Sequence, residues 1–135
     1  MLQQTLVDKK SAYIKAGIFL DTLSLGHDLN SLSWYLLFSN KYKEAENAAR
    51  EALYPPFKKP AGYDEELEYA KVNLAHALLL QNKYEEAKKL YASLKGKTYV
   101  DGTGYVSMCL DDIAQMEKAG ITHKDFEKIK TFLVE

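Results

Sequence analysis

The segment Asn40-Lys41-Tyr42-Lys43-Glu44-Ala45-Glu46 returns in nearly the same form as Asn82-Lys83-Tyr84-Glu85-Glu86-Ala87-Lys88. Each copy follows an apolar helical stretch and opens another, so the repeated unit is a helix, a turn and a second helix. Tyr84 follows Tyr42 by 42 residues. A helical hairpin of this kind cannot bury its apolar face alone: neighbouring units must stack, and the outer units need caps. All three prolines, Pro55, Pro56 and Pro60, lie between the copies, where they interrupt the helical pattern. Elsewhere apolar residues recur at helical spacing, and strand-like alternation is confined to the neighbourhood of Tyr99-Val100. The chain is therefore predicted to be all-α.

The residues inside the repeat have individual physical roles. Asn40 and Asn82 suit the left-handed backbone in which many helices end. Ser33 and Ala45, like Ala75 and Ala87, are small enough for neighbouring helices to approach closely. Tyr42 and Tyr84 are placed to fill the space between the two helices of their own unit.

These residues resemble the tetratricopeptide repeat family. Leu29, Leu32 and Ser33 stand at the family's first-helix positions, and Asn40, Tyr42, Glu44 and Ala45 at the turn and second-helix start. In the second unit Leu74, Ala75, Leu78, Asn82, Tyr84, Glu86, Ala87 and Tyr91 take the corresponding places. Lys71 replaces a large residue, Leu94 replaces a late alanine, and the closing proline is displaced. The repeat length exceeds the family period of about 34 residues, and the proline-rich segment holds the excess. The resemblance implies a right-handed α-helical repeat, a TPR-like α-α superhelix of about seven helices with atypical ends. Its expected parts are an N-terminal capping helix (1–25), a first unit (28–54), a Pro-rich connection (55–63), a second unit (64–95) and a C-terminal helical hairpin (104–134).

The end segments fit that scheme. Leu2, Leu6, Tyr13, Ile14, Gly17, Leu20 and Leu23 give the N-terminal segment an amphipathic pattern. Val106, Cys109, Leu110, Ile113 and Met116 predict the inner face of a helix from about Tyr105 to Lys118. A stop at Ala119-Gly120 precedes a last helix expected to start at Thr122, with Asp125 at capping-box spacing and Phe126, Ile129, Phe132 and Leu133 facing inward.

The totals remove several function classes. With 135 residues the chain fits one domain. Eighteen basic and nineteen acidic residues, mixed along the chain for a net charge of -1, leave no basic footprint for nucleic acid. No apolar run approaches the roughly 18 residues of a membrane span, and the N-terminus does not have the order of a signal peptide. Cys109 is the one cysteine and has no partner for an internal disulfide. The expected address is cytoplasmic.

Chemistry-bearing motifs are sparse. The histidines His27, His76 and His123 are too widely spaced for a metal motif, with His27 and His123 expected at solvated helix starts. Cys109 falls on an apolar stripe and is expected to be a buried thiol. Adjacent helical residues point about 100° apart, so Asp111-Asp112 is expected to form a solvated face. Asp101-Gly102-Thr103-Gly104 lacks the following Lys-Ser/Thr of a phosphate loop and is expected to be a tight turn. The scattered pairs Lys9-Lys10, Lys58-Lys59 and Lys88-Lys89 are solubilising charges. No catalytic residue, metal or cofactor is expected, and an enzyme is not predicted.

The family resemblance implies a ligand groove on the first-helix face of each unit. Its positions here are His27, Asn30, Trp34, Leu37 and Phe38, then Tyr69, Val72, His76, Leu79 and Leu80. Asn73 matches one position of the family's carboxylate clamp, but the other clamp residues are absent, and Arg50 is the only arginine. The expected groove is therefore apolar and aromatic, with Trp34-Tyr35-Leu36-Leu37-Phe38 covered on both sides. The predicted role is an adaptor or scaffold holding a segment of another protein through Trp34, Leu37, Phe38, Val72, Leu79 and Leu80, oriented by Tyr69 and His76. The alternatives are a homo-oligomer formed through the same face, or coverage of that face by the N-terminal helix.

Overall fold

The computed structural model describes residues 22–53, 70–99 and 101–135, with side chains described from Asp28 onward. Most of the expected N-terminal helix, the Pro-rich connection and Tyr69 lie outside these residues. The described residues form six α-helices, against about seven expected for the chain: α1 (Thr22–Phe38), α2 (Tyr42–Leu53), α3 (Ala70–Leu80), α4 (Tyr84–Leu94), α5 (Tyr105–Lys118) and α6 (Phe126–Val134). They contain no strand; Thr98 and Gly104 make a single antiparallel bridge. The first helix starts at Thr22, ahead of the expected start at residue 28. None of the described helices is long and apolar enough to cross a membrane.

The repeated asparagines end α1 and α3 in the same way. Asn40 and Asn82 have φ of 60° and 67°. At the first turn Asn40 N–H donates to the Leu37 carbonyl (3.3 Å) and Lys41 N–H to that of Leu36 (3.0 Å). At the second, Asn82 N–H donates to Leu79 (3.0 Å) and Lys83 N–H to Leu78 (2.9 Å). Both are Schellman motifs, which satisfy carbonyls the helix leaves without partners. The α5 terminus repeats the device at Gly120 (φ 90°), with Ile121 N–H bonded to the Met116 carbonyl at 2.9 Å.

Consecutive helices α1, α2, α3 and α4 pack one on the next, and α1 and α5 both also pack on α3. Besides Glu46 and Leu53, the buried face of α2 is Ala45, Ala48, Ala49 and Ala52, whose short side chains let it lie between α1 and α3. Ser33 does more than its small size suggests: its buried hydroxyl donates to the Ala45 carbonyl at 2.8 Å and ties α1 to α2. In α3 every residue except Lys71 is buried, which explains why this helix shows no polar face. By contrast, Trp34-Tyr35-Leu36-Leu37-Phe38 is not covered all round. Tyr35 is 47% exposed, while Trp34 and Phe38 are half-buried.

Glu46 joins α2 to the α3–α4 turn. Its carboxylate accepts from Arg50 Nε (2.7 Å) and Gln81 Nε2 (2.9 Å), and lies 3.4 Å from Lys83 Nζ. Burial of this 3% exposed residue opposes its charge. The bonds from Arg50 and Gln81 and the charges of Arg50 and Lys83 outweigh that cost and hold its pKa at about 2.

The C-terminal helices close the other end. Asp101-Gly102-Thr103 forms a tight turn, with Gly102 at φ 90° and Thr103 N–H bonded to Asp101 Oδ1 at 2.9 Å. The last helix starts at Phe126, later than the expected Thr122, with Asp125 in the cap position and no side-chain cap bond. The intervening residues instead place His123, whose Nε2 lies 2.8 Å from Asn82 Oδ1, so His123 is held against the α3–α4 turn rather than simply solvated. Lys95 Nζ donates to the Phe132 carbonyl at 2.8 Å and sits 4.4 Å above the Phe132 ring, fixing α6 against α4.

Candidate functional site

A groove of about 420 Å³ opens where α1 and α5 rest on α3. Its walls come from Asn30, Ser31 and Trp34 on α1, Val72 and Asn73 on α3, and Met108, Asp111, Asp112 and Gln115 on α5. Helical periodicity accounts for each contribution. Residues 30, 31 and 34 share one face of α1, and residues 108, 111, 112 and 115 share one face of α5. Because α1 and α5 meet through α3 and make no comparable contact with each other, the described helices leave a space between them.

Two buried polar constructions shape the floor. Asn73 Nδ2 donates to Asn30 Oδ1 (2.9 Å) and to the Asn30 carbonyl (3.2 Å), linking α3 to α1. His76, fully buried, has Nδ1 2.6 Å from the Tyr91 hydroxyl and Nε2 3.1 Å from Asp112 Oδ2. With Asp112 a carboxylate, Nε2–H donates to it and the phenol O–H donates to Nδ1, the assignment of the neutral ring that satisfies all three groups. Burial first, then the neighbouring Cys109 and Asp112, raises the Tyr91 pKa well above its ordinary value, so Tyr91 remains a phenol. The chain Tyr91–His76–Asp112 thus links α4, α3 and α5 and ends at a carboxylate in the groove wall.

The aromatic wall is braced from behind. The Trp34 and Phe38 rings meet edge to face, with centroids 4.7 Å apart and planes at 68°. Cys109 is buried near the same carboxylate. Desolvation, followed by the charge of Asp112, pushes its thiol up to about 12, which removes the thiolate a nucleophile needs. Among the described residues no group of three or more His, Cys, Asp or Glu side chains converges to hold a metal.

The expected site residues separate into three groups. Trp34 and Val72 line the groove, and Phe38 supports Trp34 from behind. Leu37, His76, Leu79 and Leu80 are buried in the interior, so a partner reaching them would have to displace the core. Tyr69 lies outside the described residues, as does the side chain of His27. The groove is consequently less apolar than expected, with Asn30, Ser31, Asn73, Asp111, Asp112 and Gln115 supplying polar groups. The expectation of a solvated Asp111-Asp112 face fails at Asp112, whose side chain is 22% exposed and bonded to His76. The spacing of the pair does not show this, because His76 reaches Asp112 only once α3 and α5 are packed together. Compared with family models, curated proteins and solved structures, the chain gives no match.

Proposed function

We propose that the protein is an adaptor or scaffold that holds a segment of another protein in the groove between α1, α3 and α5. The observation that carries this reading is the groove itself, an open space with an apolar wall of Trp34, Val72 and Met108 beside fixed polar groups. Ligand sites combine apolar area with a few oriented polar groups in this way, and a braced tryptophan is a frequent anchor at protein interfaces. The matching turns at Asn40 and Asn82 support reading the two hairpins as units of a tetratricopeptide-like, right-handed repeat. On that reading the groove lies on the unit-forming first helices, α1 and α3, with α5 as its third wall.

A photo-crosslinking amino acid placed at Ser31 or Gln115 in the full chain tests this role. Capture of a discrete protein that is lost with Trp34→Ala is the expected result. The same captures from a distant surface position such as Val134, or none from the groove, would contradict it. Crosslinks to a second copy of the chain would replace the adaptor with the self-associating alternative.

A further inference from the structure

The groove has a chemical bias that its shape does not require. Asp111 and Asp112 stand on its α5 wall, and none of its lining residues is basic. Among the described residues neither carboxylate meets a lysine or arginine: Asp112 is held by the His76 ring, and Asp111 is exposed. Some acids elsewhere are paired with cations, as Glu46 is with Arg50 and Lys83, and Glu117 with Lys130 at 2.8 Å. A ring braced by Phe38, a methionine and two carboxylates without cations line one space.

We infer that the groove selects a lysine or arginine side chain within the partner segment. This inference rests on the proposed protein-binding role and specifies its ligand. The ammonium or guanidinium would bond to Asp111 and Asp112, with its aliphatic stem along Val72 and Met108 and its charge near the Trp34 face. Tryptophan is the aromatic side chain that attracts cations best, and charge-assisted bonds to carboxylates are the stronger class of hydrogen bond. Gln115 and Ser31 offer additional acceptors for a guanidinium. His76 acts as a positioning residue: its Nε2 occupies one side of Asp112 Oδ2, and Tyr91 fixes the ring that does so. The carboxylate is therefore oriented before a ligand arrives, which lowers the ordering cost of binding.

Random dodecapeptides displayed on phage, selected on the immobilised full chain at low salt, supply probes without knowledge of the natural partner. Synthetic copies of the selected peptides are then titrated into wild type, Trp34→Ala, Asp111→Asn and the Asp111→Asn/Asp112→Asn pair, with urea midpoints confirming that each variant is folded. Asparagine at position 112 retains an acceptor for His76, and Asp111→Asn provides an exposed single change should the pair be unstable. The expected result is enrichment of Lys or Arg, loss of binding with Trp34→Ala, and affinity reduced on the order of tenfold by the asparagine variants. Added salt should weaken the wild-type complex more than the variant complexes. Trp34-dependent binding with no basic enrichment and no effect of the asparagine variants would overturn the cation preference and leave the adaptor role standing. Selected peptides that all ignore Trp34 would overturn both.

Discussion

Asn40 and Asn82 show how much of this fold depends on a residue's backbone preference. Each holds a positive φ at a helix end, and each side chain is also used: Asn40 Oδ1 accepts from the Tyr42 hydroxyl at 2.9 Å, and Asn82 Oδ1 meets His123. Asn82→Ala should therefore destabilise by about 1–2 kcal/mol, because alanine tolerates the left-handed region poorly. Asn82→Gly should recover most of that loss, since glycine adopts this region freely. Urea midpoints separate the two, and equal losses would show that the side-chain bond, not the backbone, matters. Glu46 makes the corresponding case for charge. Its folded pKa is lowered from 4.5 to about 2, so its stabilisation is complete above pH 4.5 and disappears as pH falls toward 2. The stability gap between wild type and Glu46→Gln should be about 1–3 kcal/mol at pH 7 and shrink across that acidic window. A gap independent of pH would contradict the account, as would a variant that is no less stable.

At the scale of elements, α3 is the common support: α1, α2, α4 and α5 all pack on it. Leu79→Ala removes a fully buried side chain from this helix and should cost about 2–5 kcal/mol in thermal or urea unfolding. Any loss of partner binding in that variant would follow from the damaged core. Tyr91→Phe is the finer probe of the same support. It leaves His76 Nδ1 buried without its partner, which should cost about 1–3 kcal/mol; no loss would mean that the Tyr91–His76–Asp112 chain does not couple the helices. Helix identity and both asparagine turns were legible because they depend on local spacing and on residues with unusual backbone tolerance. Trp34 and Val72, which line the groove, are positions that the family resemblance implies rather than ones that the pattern of their helices marks. The burial of Leu37 on α1 and of His76, Leu79 and Leu80 on α3 was not legible, because both helices are apolar along these stretches and the pattern does not show which neighbour covers which face. Nor does periodicity join residues distant in sequence, such as Asn30 with Asn73 or His76 with Asp112, whose partnership exists only once three helices are assembled. The shift of the last helix start from Thr122 to Phe126 has a similar cause: His123 bonds to Asn82 on another hairpin, a contact that local capping rules do not contain.

For the molecule as a whole, the described α1, α3 and α5 border a groove that they do not fill, and it lies beside the only tryptophan of the chain. Emission and acrylamide quenching of Trp34, recorded across protein concentrations and then with a bound peptide, test the central claim of an open groove that receives a partner. The account predicts a quenchable Trp34 at every dilution that becomes blue-shifted and shielded when the peptide binds. A Trp34 already shielded at every dilution, or one whose emission ignores bound peptide, would contradict it; shielding that appears only as concentration rises would assign the groove to a second copy of the chain.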